Sequence, residues 1–262
     1  MEKHSFLKVL KGNIKENKAT FAVYIILRAF VLTSLIISLI RLDFESAFVC
    51  ALSLVLFLVP SFLEKSLKIY LPSTLEIIIL LFIFAAEILG ELNAYYVRVP
   101  FWDAMLHTVN GFLCAAVGFA LIDILNRNDK FKFQLSPLYV AIVAFCFSMT
   151  IGVLWEFFEF GMDRFFGMDM QKDVVVHHIT SVALDPTRTN TTVTIDGINE
   201  VLINGAPLGV GGYLDIGLYD TMKDLIVNFI GAVIFSVIGF FYIKNRGKGK
   251  IAKNFIPTLR NE

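Results

Sequence analysis

The sequence predicts an all-α integral membrane protein: a six-helix transmembrane bundle with a small extracytoplasmic, partly β insertion between helices five and six. Three observations carry this prediction. Apolar residues make up 56% of the 262-residue chain, mean hydropathy is +0.71 and 26 residues are phenylalanine, an excess that one soluble core would not use. The apolar residues fall into six runs at 21–40, 46–63, 74–92, 103–125, 136–159 and 220–243. Each run is close to the ~20 residues that a helix needs to cross hydrocarbon. Basic residues, finally, are distributed very unevenly among the connections.

Residues 1–20 form a lysine-rich leading segment. The first apolar run follows it without a small-residue cleavage site, so it reads as a retained helix and not a signal peptide. Five lysines precede run one, and Lys65 and Lys68 follow run two. Arg127, Lys130 and Lys132 follow run four; Lys244, Arg246, Lys248, Lys250, Lys253 and Arg260 follow run six. These sixteen residues fall on one side of the membrane, against Arg41, Arg98, Arg164, Lys172 and Arg188 on the other. Arg28 and Lys223 lie within the spans. Cytoplasmic loops are enriched in Lys and Arg. The expectation is a multi-pass protein of the plasma (inner) membrane with both termini cytoplasmic.

Runs one to five, within 21–159, have short connections, as an up-and-down bundle requires. The long connection 160–219 is the exception. Its VTIDG and VLINGAPLG stretches set β-branched residues beside Asp-Gly and Asn-Gly turn signals, which predicts a hairpin or cap. A connection of that length in a compact unit is expected to cover something. Span six, 220–243, is followed by the basic tail 244–262, which reads as a cytoplasmic stop against anionic headgroups. Formal net charge is zero, so membrane lipids and not nucleic acid are the expected partners. Cys50, Cys114 and Cys146 lie in apolar runs without metal or disulfide spacing and read as small buried side chains.

Ionisable groups inside such spans must be neutralised, paired or functional. Run three ends with Glu87 and Glu91, spaced i, i+4. Run four opens FWDAMLHTVNGF, placing Asp103, His107, Asn110, Gly111 and Cys114 along one face. Run five ends WEFFEFGMD, with Glu156 and Glu159 on one face and Gly152 behind them. Run six opens DTMKDLIVNFIG, where Asp220, Asp224 and Asn228 step toward Gly231. Spacings of three, four and seven residues align side chains in one stripe. The predicted topology puts all four helix ends outside, so seven carboxylates and one imidazole collect at one outer level. They cannot all remain ionised without protons, cationic partners or a bound cation.

Oxygen-rich surroundings with one imidazole suit Zn, Mg, Mn or Ca. The expected metal ligands are Asp103, His107, Glu156 and Asp224, with Glu159 or Asp220 as general base. Asn228, Glu87, Glu91 and Asn110 would support them. Helix capping explains Asp103 and Asp220 equally well, because an acid suits a helix N-terminus. It does not explain His107, Asp224 or Asn228, nor Glu156 and Glu159 at a C-terminal end. His177, His178, Asp169 and Asp173 in the insertion read as solvated surface. Trp102 and Trp155 fit aromatic residues of the outer headgroup level.

The motifs WDAMLH, WEFFE and YDTMKDLIVNFIG resemble the YjdF-like family of predicted bacterial inner-membrane proteins, over Pro100 to Gly239. The matching positions are Asp103, His107, Glu156, Glu159, Asp220 and Asp224. This resemblance implies the membrane fold and brings no established activity. A weaker similarity runs to VanZ-like membrane proteins, linked to glycopeptide tolerance. This chain has Glu159 where that pattern tends toward glutamine, and its outer loop is much longer.

Three functions stay open from the residues. One is a metal-dependent hydrolase acting on a lipid or envelope precursor. Another is a non-catalytic membrane protein with a structural polar network and a lipid- or partner-binding cap. The third is a proton- or cation-coupled transporter. The PAP2 signature and a G-x-S-x-G elbow are absent, so a hydrolase would be of another type.

Overall fold

The structure is a computed structural model that describes residues 18–67, 69–126, 135–245 and 254–259. Most of the leading segment 1–20 and the basic residues Lys68, Arg127, Lys130, Lys132, Arg246, Lys248, Lys250, Lys253 and Arg260 lie outside the described residues. The chain forms two compact units, 1–152 with 227–262, and 153–226. Each is described by itself.

In the first unit, α1 (Lys18–Ile40) ends where Leu42 takes a left-handed φ of 57°. Asp43 caps α2 (Phe44–Leu56), its two oxygens accepting from the Ser46 backbone N–H at 3.1 Å and from the Ser46 hydroxyl at 2.7 Å. Those hydrogen bonds hold the Asp43 carboxyl below its usual range. After α2 comes α3 (Val59–Leu67), the two making one apolar stretch, Phe44–Ser66. The interruption between them has a local cause. Pro60 has no N–H to give the Leu56 carbonyl, and the Leu58 N–H bonds the Val55 carbonyl three residues back at 2.9 Å.

A short strand, β1 (Ile69–Tyr70), precedes α4 (Ser73–Ile83). From Phe84 to Leu92 the same helix continues as a π-helix. The 74–92 run is therefore helical throughout but divided, and its α-helical part is only 11 residues long. The Asn93 backbone and side-chain N–H groups close the π-helix on the Ile88 carbonyl, and Ala94, at φ 57°, ends it. A single turn α5 (Tyr95–Arg98) leads into α6 (Trp102–Asn126). Next is α7 (Pro137–Phe166), started by proline at its first position and by the Ser136 hydroxyl, which accepts the Tyr139 N–H at 3.2 Å.

Among the described residues, five helical stretches are long and apolar enough to cross a membrane: Lys18–Ile40, Phe44–Ser66, Trp102–Asp123, Pro137–Phe166 and Leu218–Lys244. Apolar side chains outnumber polar ones on their exposed faces; on α1, Ile26, Phe30, Ile36 and Ile40 are all exposed. Lipid, not water, is the solvent such faces suit.

The core of this unit lies where α6, the first half of α7 and the second half of α8 (Leu218–Lys244) meet. Ala115, Ala116, Phe119, Val140, Ala144, Ala232 and Phe235 are fully enclosed there. A second cluster joins Leu27 and Val31 of α1 to Cys50, Phe57, Leu80, Ile83 and Ile88. Cys50 is indeed a small buried side chain, Cys114 is partly buried, and Cys146 is exposed.

The second unit comprises the end of α7, the insertion and the start of α8. Here α7 continues to Phe166, seven residues past the expected boundary at 159. The insertion contains β2 (Val175–Val176), β3 (His178–Ser181), β4 (Val193–Asp196), β5 (Leu202–Ile203), β6 (Ala206–Pro207) and β7 (Tyr213–Leu214). They pair as β2–β7, β3–β4 and β5–β6, all antiparallel. VTIDG supplies β4. VLINGAPLG makes β5 and β6 around Asn204 and Gly205, whose φ angles of 54° and 84° are those of a two-residue primed turn.

Asp185 organises the loop before β4. Its carboxylate accepts from the backbone N–H groups of Thr187 (2.9 Å), Thr189 (2.8 Å) and Thr191 (3.3 Å), and from the Thr187 hydroxyl at 2.6 Å. These bonds, the Thr187 hydroxyl first, hold its carboxyl far below the usual range. A pKa depressed on folding contributes stability above the ordinary value of about 3.9, lost as pH falls through the lower folded value. Hydrogen exchange, corrected for intrinsic rate, should leave the Thr187, Thr189 and Thr191 amides equally protected between pH 7 and pH 4, whereas Asp185→Ala loses that protection across the range.

Candidate functional site

The sequence placed its candidate residues on four helix ends, and each compact unit holds a share of them. In the first unit Asp103 occupies the opening turn of α6, where the helix dipole favours an acid. One turn on, His107 is 7% exposed, and its Nε2 lies 3.5 Å from Asp103 Oδ1. Asn110, a further turn along, donates from Nδ2 to Asn228 Oδ1 at 3.4 Å and accepts from Cys114 Sγ at 3.4 Å. Asn228 is enclosed, at 1% exposure, and its Nδ2 reaches the Met149 sulfur at 3.6 Å. The Ser148 hydroxyl donates to the Gly111 carbonyl at 2.7 Å.

Two glycines make this possible. A Cβ on Gly111 would fall on the Asn228 carbonyl oxygen, and one on Gly231 would fall on the Thr108 carbonyl oxygen. Helices α6 and α8 therefore cross backbone to backbone, the close approach that small residues permit between membrane helices. Polar side chains within a turn of the crossing can then meet. Glu87 and Glu91 both lie on the π-helix, the first partly buried and the second exposed.

In the second unit, Glu156 and Glu159 are 4% and 7% exposed, whereas Leu154, Trp155, Phe157, Phe158 and Phe160 around them are exposed. Acids inward and aromatics outward is the pattern of a membrane helix with a polar interior. The Trp155 indole N–H donates to Glu159 Oε1 at 2.8 Å, so this tryptophan orients an acid besides presenting its ring outward.

Asp220 is 5% exposed and has both oxygens engaged. Oδ2 accepts the Lys172 backbone N–H at 2.9 Å, and Oδ1 meets Lys223 Nζ at 3.0 Å. The same ammonium lies 3.7 Å from Oδ1 of Asp224, which is 1% exposed. Lys223 is thus a cationic partner of two acids. Arg28, in the first unit, lies over the Tyr24 ring at 4.3 Å.

The loop residues divide. His177 Nδ1 is 2.9 Å from the Ile198 carbonyl, while His178 is exposed in β3. Asp169 lies 3.7 Å from Lys172 Nζ. Asp173 is exposed, its carboxyl raised by partial desolvation and then by the charges of Asp169, Asp215 and Asp163.

Asp163, which the sequence places ahead of Glu156 and Glu159 on one face, takes part, and so do Asp215, Ser148 and Met149, which sequence reasoning missed. Asp163 accepts the Met170 and Gln171 backbone N–H groups at 2.6 and 2.8 Å, and Asp215 accepts those of Val174 and Tyr219, both at 2.7 Å. Asp215 is an acid just before the start of α8, a capping signal legible in LDIG, whereas Asp163 lies in the last turns of α7 and holds the loop that follows. Met149 and Ser148 carry no such signal.

Residues 23–245 match the family described as "Predicted membrane protein (DUF2238)". The chain belongs to the DUF2238 family. An uncharacterised protein of Thermotoga maritima is 25% identical over 105 residues, which are 40% of this chain and 52% of that protein. The chain thus spans about half the length of this relative. No solved structure matches. The DUF2238 match contains every candidate site residue, from Glu87 to Asn228, and stops short of residues 254–259.

Proposed function

We propose that this DUF2238 protein is a YjdF-like, six-span inner-membrane protein with both termini cytoplasmic, the divided 73–92 helix being its third span. We further propose that it is a metal-dependent hydrolase acting at the outer leaflet on a lipid or lipid-linked envelope precursor. The observation that carries this reading is the Asp103–His107 pair, an imidazole shielded from solvent with a carboxylate 3.5 Å from its Nε2. An imidazole nitrogen and a carboxylate oxygen this close can both face one cation. In this proposal Asp103, His107, Glu156 and Asp224 are the ligands of Zn, Mg, Mn or Ca. A bound divalent cation would supply a Lewis acid for an ester or phosphate oxygen. Glu159, held by the Trp155 indole, is the preferred base that takes a proton from attacking water. Asp220, with both oxygens engaged, is less suited to that role.

Elemental analysis of protein purified in mild detergent, alongside His107→Ala, tests this directly. About one divalent metal per chain is expected in the native protein and less than about a tenth of that in the variant. Lipid turnover should disappear with the metal. Metal-free native protein with an intact fold overturns the hydrolase reading.

A second reading, a non-catalytic membrane protein with a structural polar network, is favoured by the hydrogen bonds that Asn110, Asn228 and Asp220 make within the protein. Under it, Glu156→Gln changes the unfolding midpoint and leaves lipid composition unchanged.

A further inference from the structure

The basic tail, read from sequence as a surface stop, contains a segment that does not stay at the surface. Beyond α8, the described residues 254–259 turn back into the first unit. Ile256 is 1% exposed and belongs to the same core as Phe119, Phe235 and Tyr242. The Phe255 ring meets Phe112 edge-on at 5.2 Å, and Phe112 meets Phe235 in the same way at 5.1 Å. Phe235 lies nine residues before Lys244, the last residue of α8, about 14 Å along the helix at ~1.5 Å per residue, and the Phe112 ring links it to Phe255.

Beside it, Pro257 lines a small apolar cavity with Leu63, Leu71, Leu75, Leu113 and Val117. The strand β8 (Thr258–Leu259) then pairs antiparallel with β1, Tyr70 opposite Thr258 and Ile69 opposite Leu259. Irregular backbone survives at membrane depth only where protein covers it. This segment meets that condition by filling an apolar slot with Phe255, Ile256 and Pro257 and sharing β1's hydrogen bonds.

We infer that residues 254–259 are a detachable plug that closes an apolar slot between α4, α6 and α8 at the Lys244 end of the bundle. The plug's backbone ladder is made with β1 and not with a helix. Its ladder is two residues long, and short ladders open locally at lower free energy than the helices they join. The plug therefore exchanges between seated and withdrawn states, and withdrawal exposes the slot. Under the topology proposed above this is the cytoplasmic end, but the inference does not rest on that orientation or on any activity.

Full-length protein in nanodiscs, which expose both membrane faces, allows the test. In a background where Cys50, Cys114 and Cys146 are replaced by alanine, Val117→Cys puts one thiol in the cavity beside Pro257. Tyr70→Cys with Thr258→Cys then provides a lock, because antiparallel Cα partners lie about 4.5–5.5 Å apart, within disulfide reach. Peptide mass spectrometry follows labelling at position 117 by a small polar thiol reagent. Labelling should be at least about tenfold slower in the cross-linked form than in the reduced form, as gating by local opening requires. Ile256→Asp without the lock should accelerate it to a similar degree. Equal rates in the oxidised and reduced forms overturn the plug, whether or not Ile256→Asp folds.

Discussion

Gly231→Ala and Gly111→Ala are expected to destabilise the protein by about 3 kcal/mol or more each, beyond the ordinary cost of overpacking a core. The added methyl group meets backbone in both cases, the Thr108 carbonyl at one site and the Asn228 carbonyl at the other. Backbone cannot swing aside as a side chain can, so α6 and α8 must separate. Separation also stretches the Asn110–Asn228 hydrogen bond, already 3.4 Å long. Two other glycines supply controls within α7. At Gly152 the added carbon would sit 2.6 Å from Asn228 Nδ2, the movable end of a side chain, so Gly152→Ala should cost about 1 kcal/mol. At Gly161 nothing lies within 4 Å, and alanine is the better helix former by about 1 kcal/mol, so Gly161→Ala should be neutral or mildly stabilising. Unfolding midpoints in one detergent rank the four variants. If Gly231→Ala unfolds no earlier than Gly161→Ala, the close crossing is not what holds these helices together.

The stripe containing these glycines was legible because a 3.6-residue period projects onto sequence directly. Asn110, Gly111, Asn228 and Gly231 were all found by spacing alone. Their partners Ser148 and Met149 were not, since an ordinary serine and methionine in an apolar run show no pattern. The apolar runs were equally plain, with two of them divided, at Pro60 and at Phe84. Hydropathy counts apolar residues and is blind to whether hydrogen bonds run to the fourth or the fifth residue, so the π-helix at Phe84–Leu92 left no trace. Helix α7 runs seven residues beyond the apolar run that ends at 159, because a helix continues wherever its backbone bonds are made, whatever the hydropathy. The plug was hidden by its neighbours. Five basic residues at 244–253 set the character of the tail, and the short apolar group FIP was read along with them. Asp185 followed by threonines at 187, 189 and 191 did carry a signal, since an aspartate that accepts from the amides after it shapes a turn.

Asp220 is where the sequence reading offered two roles, and a second large effect separates them. As a strap, its carboxylate fixes the start of the insertion through the Lys172 N–H and is itself fixed by Lys223. A hydrogen bond to a charged group contributes about 1.5–3 kcal/mol, which is roughly 10- to 150-fold in an opening equilibrium. Asp220→Ala should therefore raise hydrogen exchange at the Lys172 amide by about that factor. The neighbouring clamps should hold, because Asp163 keeps the Met170 and Gln171 amides and Asp215 keeps that of Val174. Asp220→Asn retains an acceptor for the Lys172 N–H but loses the charge facing Lys223, so exchange should rise by less. A general base behaves otherwise. Its replacement by asparagine abolishes proton abstraction as completely as replacement by alanine does, while local exchange stays as in the native protein. A graded exchange response, alanine above asparagine above native, assigns Asp220 to the architecture; under the hydrolase proposal it leaves Glu159 as the acid whose loss should stop lipid turnover without loosening the insertion.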